Sequence, residues 1–149
     1  MFSSLILGIG NPLRSDDGLG SKAAAALAPE LSSAELQVVA AHQLLPEMAE
    51  HVAHSVRVLF LDASHTGGPG EIRCEQIHRD PNFQPGNLSH QFSPAALLEL
   101  AFRYFQAEPE AWLLTMAGAN FDLGEAFSPP VKSSWNCYLE RVKMWVSLV

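Results

Sequence analysis

One stretch near the amino terminus constrains the fold more than any other part of the chain. Residues 5–9 form an unbroken apolar run, LILGI, which is typical of a strand buried on both faces of a sheet. The run leads into a glycine-rich loop that carries two adjacent carboxylates, Asp16 and Asp17, and an alanine-rich helical segment follows. Since α/β proteins usually keep their sites at the carboxyl edge of a parallel sheet, this arrangement predicts that the two acids lie in a cleft.

The rest of the chain alternates strand patterns with helix patterns. Further strands are predicted at residues 37–41, 58–61, 71–77 and 112–117, with the third of these at an exposed edge. Helices are predicted from residue 19 to a stop at Pro29, around residues 44–52, and after Ser93-Pro94 and Ser128-Pro129. We therefore expect one α/β domain over residues 1–149, with a mostly parallel twisted sheet of about five strands and helices on both faces.

The carboxyl-terminal helix is predicted to bury one long apolar face against the sheet. The members of this face recur at helical spacing and are Val131, Trp135, Leu139, Val142 and Val146. Trp135, the largest of them, is expected to be part of the core.

The charge balance excludes some classes of function. Nine lysines and arginines oppose sixteen aspartates and glutamates, which gives a formal net charge of -7. The sequence has no basic cluster, so we expect no nucleic-acid binding by phosphate neutralisation. It has no apolar run of the ~18 residues that a membrane helix needs, and its first residues lack the basic lead of a signal peptide. We therefore expect a cytoplasmic monomer with no membrane partner.

The two cysteines, Cys74 and Cys137, lie far apart and belong to no Cys-x-x-Cys pair. A disulfide framework or a thiolate zinc site therefore has little support. We expect both side chains to be buried as small hydrophobic groups.

The glycine-rich loop has two other interpretations. Gly8-x-Gly10 after a strand is the beginning of a dinucleotide fingerprint, but Leu13 stands where the third glycine belongs, and carboxylates follow where a pyrophosphate needs positive potential. Asp16 and Asp17 are also well placed to cap the following helix. One acid is enough for that role, so two adjacent acids favour a site, with capping as the open alternative.

Two further side chains are candidates for the same site. The strand at residues 58–61 ends on Asp62, so we expect Asp62 to face Asp17 across the edge of the sheet. Converging carboxylates need a cation or a proton to relieve their repulsion. Among the six histidines, His90 differs from the others because it directly precedes a capped helix.

The segment at residues 8–20, GIGNPLRSDDGLG, resembles the opening motif of the hydrogenase maturation endopeptidases. Two later features agree in order and spacing, namely a strand that ends in Asp62-Ala63 and the loop Ser89-His90-Gln91 before a helix. The resemblance extends over essentially the whole chain. It implies an α/β fold and a single hydrogenase maturation protease-like domain.

Members of this family remove a short carboxyl-terminal extension from the large subunit of a NiFe hydrogenase after nickel has been inserted. The resemblance implies that Asp17, Asp62 and His90 are both the metal-binding and the catalytic residues, and that the partner is the large-subunit precursor. The metal is then the nickel of that precursor, and no permanently bound cofactor is expected. Two carboxylates and an imidazole suit nickel and leave coordination positions open for the substrate.

The turn after the second predicted strand departs from the family pattern. Many relatives carry an Asp-Gly-Gly-Thr type turn there, whereas this chain has the sequence HQLLPE at residues 42–47. This variant resembles the subgroup that serves bidirectional, NAD(P)-linked hydrogenases. We expect the turn to border the substrate cleft, and the residues expected in that cleft are Asn11, Asp16, His42 and Gln43.

A second function is compatible with the same three residues. A non-catalytic, nickel-dependent docking factor or chaperone would bind the precursor through its nickel and leave the polypeptide intact.

Overall fold

A five-stranded sheet forms the centre of the computed structural model, which describes residues 2–86 and 92–148. Its strands are β1 (Phe2–Ile9), β2 (Leu36–Ala41), β3 (Ser55–Ser64), β4 (Ile72–Ile77) and β5 (Glu110–Ala117). They lie in the order β2-β1-β3-β5-β4, and of these strands only β4 runs antiparallel to its neighbour. The helices are α1 (Leu19–Leu31), α2 (Ala49–Ala53), α3 (Pro94–Phe105) and α4 (Pro129–Ser147).

Alternating side chains of the central strands build two separate cores, one on each face of the sheet. Leu5, Leu7 and Phe60 pack with residues of α2 and α3 on one face. Ile6 and Leu59 pack with residues of α1 and α4 on the other. Successive residues of a strand point to opposite faces, so a strand covered on both sides must be apolar throughout. The expected mostly parallel sheet with helices on both faces is confirmed.

The order of the strands creates a topological switch point between β1 and β3. From β1 the chain crosses through α1 to β2 on one side, whereas β3 pairs with β5 on the other side. In open α/β sheets, the crevice outside the carboxyl ends of two such strands is the usual ligand site. Asp17 follows β1 and Asp62 lies near the end of β3, so the topology brings both acids to this crevice.

Two glycines allow the chain to turn sharply at this edge. Gly10 has a φ of 142°, and a side chain there would collide with the backbone carbonyl of Asp17. A side chain at Gly20 would collide with the backbone oxygens of Leu61 and Ile9. As a result α1 begins directly against the ends of β1 and β3, which holds Asp17 beside the sheet.

All five strands lie where the sequence predicts them, with differences at their ends. β3 continues through Asp62 to Ser64 because its pairing with β5 extends that far. α1 does not stop at Pro29 but ends at Leu31, since a proline in the final turn removes only one backbone hydrogen bond. The second helix is shorter than expected, with a 3-10 turn at Pro46–Met48 that leads into the five residues of α2.

The buried face of α4 is rotated from the predicted one. Val131 and Val142 are buried as expected, but the large residues that fill the core are Tyr138 and Trp145. The Tyr138 hydroxyl donates a hydrogen bond of 2.7 Å to the carbonyl of Leu114, which satisfies its polar end within the core. In the described residues no helix, α4 included, combines the length and apolar character that crossing a membrane requires.

The predicted burial of both cysteines is wrong. Cys74 and Cys137 are exposed free thiols. Cys74 lies on β4, an edge strand whose side chains are mostly exposed. Cys137 directly precedes the buried Tyr138 in α4, and neighbouring helical residues point about 100° apart, which turns the thiol towards solvent.

A buried ion-pair network fixes the loop that follows β4. Glu99 of α3 is buried and contacts Arg79 at 2.8 Å and Arg103 at 2.7 Å. Burial acts to raise the pKa of Glu99, but the two guanidinium groups outweigh it and lower that pKa. Arg103 also donates to the carbonyls of Pro81 and Phe83, which ties this loop to α3.

We expect Trp145→Ala to destabilise the fold more than Trp135→Ala. Trp145 is 7% exposed and its ring centroid lies 4.0 Å from Cζ of Arg57. Its truncation leaves a cavity, so the free energy of unfolding should fall by about 3–5 kcal/mol. Trp135 is only half-buried and packs against Phe127, so its truncation should have a smaller effect. Urea unfolding followed by circular dichroism measures both values, and equal losses would contradict the rotation of α4.

Candidate active site

A cleft of about 560 Å³ opens at the carboxyl edge of the sheet. The ends of β1 and β3, the turn after β2 and the start of α3 line it. Its titratable side chains among the described residues are Asp17, His42, Asp62 and His65. The cleft therefore contains both of the acids that follow separate strands, at the switch point of the sheet.

Each of the two cleft carboxylates uses one oxygen to bind the backbone. Oδ2 of Asp17 accepts a hydrogen bond of 2.9 Å from the N–H of Asn11, and Oδ1 of Asp62 accepts one of 2.8 Å from the N–H of Ala63. Within residues 2–86 and 92–148, the other oxygen of each carboxylate has no hydrogen-bond partner. The backbone thus orients both side chains and leaves one oxygen of each free to bind a ligand.

The pKa of Asp62 lies close to neutrality. Burial raises it from 3.8 to about 7, the N–H of Ala63 opposes this rise, and the negative charge of Asp17 adds to it. Near pH 7 both protonation states of Asp62 are therefore populated. A carboxyl group with such a pKa in a cleft can act as a general acid or base, or exchange its proton for a cation.

Asp16 does not lie in the cleft, so its prediction as a cleft residue is wrong. Its side chain is fully buried and accepts four hydrogen bonds. They come from the N–H groups of Ala119 (2.8 Å), Asn120 (3.0 Å) and Ser128 (2.8 Å) and from the Ser128 hydroxyl (2.6 Å). Burial acts to raise the pKa of Asp16, but these bonds outweigh it and lower the pKa. Asp16 is therefore an ionised structural residue that joins the loop before α1 to the loop before α4.

Helix capping does not account for either acid. The N-cap of α1 is Gly18, and no side chain makes a capping hydrogen bond there. Ser128 occupies the predicted N-cap of α4, but its hydroxyl donates to Asp16 instead of capping the helix. The two predicted caps differ in this respect, since Ser93 does accept a hydrogen bond from the N–H of Ala96.

A strained turn makes the two adjacent acids point in different directions. Ser15 has a φ of 54°, an uncommon value for a residue other than glycine. Its N–H donates to the carbonyl of Gly124 at 2.8 Å, and its hydroxyl donates to the carbonyl of Asp122 at 2.8 Å. These bonds hold the loop before α1 against the loop after β5, with Asp16 directed inwards and Asp17 towards the cleft.

The other predicted cleft residues fall into three groups. His42 and Gln43 line the cleft, as expected from the turn after β2. Asn11 does not line the described cleft and contacts Asp17 through its backbone N–H. His90 lies outside the described residues, and within those residues no group of three His, Cys, Asp or Glu side chains is arranged to hold a metal ion.

His65 is a cleft residue that the sequence patterns did not single out. Its ring stacks on Phe121 with 3.9 Å between centroids and 21° between planes. The stack connects the end of β3 to the loop after β5. The sequence could have indicated His65 as a cleft residue, because it follows Asp62 by three positions at the end of the same strand.

Solved structures share this fold, whereas no protein-family model and no curated protein matches the sequence. The hydrogenase maturating endopeptidase HybD from E. coli superposes with a TM-score of 0.77 and 21% identity, covering 98% of this chain and 92% of that one. The hydrogenase maturation protease HycI from Thermococcus kodakarensis KOD1 superposes with a TM-score of 0.74 and 21% identity, covering 95% of this chain and 90% of that one. The NiFe hydrogenase maturation protease HybD from Thermococcus kodakarensis superposes with a TM-score of 0.70 and 23% identity, covering 97% of this chain and 99% of that one. The chain thus has the fold of these proteases.

We expect Asp16→Asn to lower the free energy of unfolding by about 2–4 kcal/mol, because an amide cannot accept all four hydrogen bonds and leaves buried donors unpaired. Asp122→Asn makes the same chemical change on an exposed side chain of the neighbouring loop and serves as the control. Urea unfolding at pH 7 measures both. A loss for Asp16→Asn no larger than that of the control would show that its carboxylate does not hold the two loops together.

We expect Asp62→Asn to stabilise the protein above neutral pH. The folded pKa of about 7 lies above the unfolded value, so ionised Asp62 opposes folding and stability declines as pH rises from about 4 to 7. The amide keeps the acceptor for the Ala63 N–H and carries no charge. The variant should therefore gain about 2–4 kcal/mol over wild type at pH 8 and little at pH 4. Unfolding curves at the two pH values test this, and a gain of equal size at both would contradict the raised pKa.

Proposed function

We propose that this chain is an endopeptidase that removes the carboxyl-terminal extension of a NiFe hydrogenase large-subunit precursor after nickel insertion. The observation that carries this function is the meeting of Asp17 and Asp62 in one cleft, each with one oxygen that no described residue hydrogen-bonds. The shared fold with hydrogenase maturation proteases and the motif at residues 8–20 support it. His90 is the third member of the proposed site.

Nickel enters this site as part of the substrate. Two carboxylates and one imidazole are suitable ligands for nickel, and they leave coordination positions for the groups of the precursor that already hold it. Without the metal, burial and the charge of Asp17 disfavour ionisation of Asp62 and raise its pKa to about 7. A divalent cation reverses that balance and displaces the proton. The site therefore favours a precursor whose nickel is in place.

Hydrolysis of the peptide bond needs a base for the attacking water and an acid for the leaving amine. With the nickel bound Asp62 is ionised, so its carboxylate can take the proton from the attacking water and then return it to the amine. Asp17 and His90 bind the metal of the substrate together with Asp62. The reaction takes place in the cytoplasm, with the protease acting as a monomer on its precursor.

The turn after β2 is proposed to contact the substrate and to determine which precursor binds. His42 and Gln43 are exposed in the cleft wall, where they can contact the precursor near its metal. Their sequence context supports a large subunit of the bidirectional, NAD(P)-linked type as the substrate. No permanently bound cofactor is needed for this reaction, because the precursor supplies the metal.

A second function, a nickel-dependent docking factor or chaperone, uses the same contacts. It is favoured by the oxygens of Asp17 and Asp62 that have no hydrogen-bond partner among residues 2–86 and 92–148, since these can hold a metal without any hydrolysis. The two functions differ in the fate of the polypeptide. Mass spectrometry of a nickel-loaded precursor after incubation distinguishes them, because only the endopeptidase shortens the large subunit.

We expect Asp17→Asn and His90→Ala to reduce the rate of processing by about 10²–10⁴-fold while the fold is retained. Each removes one proposed contact to the substrate metal. His51→Ala, an exposed histidine of α2 outside the cleft, is the control and should process at the wild-type rate. Wild-type rates for Asp17→Asn or His90→Ala would contradict the site. An unchanged precursor mass in a lasting complex with the wild-type protein would favour the docking factor.

A further inference from the structure

One edge of the sheet, the outer side of β2, presents backbone groups that the described fold does not use. The N–H of Ser4 donates to the carbonyl of Glu35, and the N–H of Gly10 donates to the carbonyl of Ala41. In a parallel ladder this pattern directs the odd-numbered residues of β2 towards β1 and the even-numbered residues away from it. Val38 and Ala40 therefore point their N–H and C=O groups outwards.

The amino-terminal end of this edge is closed by the chain itself. Leu36, the first outward-facing residue, donates its N–H to the Ser33 hydroxyl at 3.1 Å and accepts from the Ser33 N–H at 3.0 Å. In the part of the chain that the structure describes, β2 pairs only with β1, and the outward groups of Val38 and Ala40 meet no protein partner. The N–H and C=O groups of Val38 and Ala40 are thus available for pairing, whereas those of the neighbouring Leu36 are already hydrogen-bonded to Ser33.

The opposite edge of the sheet, formed by β4, differs in its chemistry. β4 carries the charged side chains Arg73 and Glu75, and charges of this kind commonly protect an edge strand from pairing with other chains. β2 has the sequence LQVVAA, with neither charge nor proline. An uncharged edge that pairs with no further strand of the described chain is a liability that proteins usually cover, so its presence at β2 favours a partner that pairs with it.

The open part of β2 leads directly into the cleft. β2 ends at Ala41, and the next residues, His42 and Gln43, line the cleft that holds Asp17. With a rise of about 3.3 Å per residue, a strand paired with Val38 and Ala40 reaches the cleft within two or three residues. β4 lies at the far side of the sheet from these residues.

We infer that the outer edge of β2 binds an extended segment of the polypeptide substrate by strand addition, and that this segment leads the scissile bond into the cleft. The inference rests on the proposed endopeptidase function, which requires a polypeptide substrate in that cleft. Four backbone hydrogen bonds, two from Val38 and two from Ala40, hold the segment. Main-chain pairing of this kind supplies affinity independent of the side chains of the bound peptide.

The first test compares proline substitutions at the two edges of the sheet. Ala40→Pro removes an outward N–H of β2 and places a ring on the pairing edge, which an edge strand tolerates. Gln76→Pro makes the same change at an outward position of β4 and is the matched control. With nickel-loaded precursor as the probe, Ala40→Pro should raise KM about tenfold and leave kcat within about twofold of wild type. Gln76→Pro should change neither, and thermal unfolding checks that both variants fold.

The second test uses the unmodified protein, so it does not depend on the folding of a variant. Amide hydrogen exchange of Val38 and Ala40 should slow at least about tenfold when the precursor is added, because pairing satisfies both groups. Wild-type KM for Ala40→Pro, or exchange that the precursor leaves unchanged, would overturn strand addition while processing itself stands. Protection that grows with protein concentration in the absence of precursor would assign the edge to a second copy of this chain and would also overturn it. Protection by a precursor whose mass stays unchanged would support strand addition and refute the endopeptidase.

Discussion

The buried carboxylate of Asp16 is the interaction on which the functional edge of this protein depends. Its partners lie 103, 104 and 112 positions away along the chain, in the loop after β5 and at the start of α4. An ionised acceptor is a stronger partner for buried N–H groups than a neutral one, and four donors compensate for its loss of water. Asp16 thus fixes two distant segments beside the loop that presents Asp17. The shape of the cleft therefore depends on the ionised Asp16, which is not one of its lining residues.

The three acids near this edge show how surroundings divide one type of side chain among different roles. Asp16 is fully buried and Asp62 is half-buried, yet their pKa values shift in opposite directions. Four hydrogen bonds stabilise the charge on Asp16, whereas Asp62 has one such bond and a second carboxylate nearby. Asp16 therefore stays ionised and has a structural role. Asp62 can gain or lose a proton near neutral pH, which is what proton transfer or metal binding requires.

The strands could be predicted from their apolar runs. The placement of Asp17 and Asp62 in one cleft could be predicted because parallel strands end at the same edge of the sheet. The inward turn of Asp16 was not predictable in the same way. It depends on the left-handed backbone of Ser15 and on donors from residues 119–128, and neither leaves a local pattern around Asp16. The rotation of α4 was missed for a similar reason. Trp135, Leu139 and Val146 complete an apolar pattern at helical spacing, and this pattern hides the core role of Tyr138 and Trp145.

The long separation between Asp16 and Ser128 also has a consequence for biosynthesis. Asp16 is synthesised well before its partners, and its full set of hydrogen-bond donors exists only after a further 112 positions have been made. Contacts of such range form late in folding because a long loop must close before they can be made. A nascent chain that ends before Ser128 therefore leaves the buried Asp16 with only the hydrogen bonds from Ala119 and Asn120. Synthesis of the segment through Ser128 thus has to precede the full assembly of this cleft.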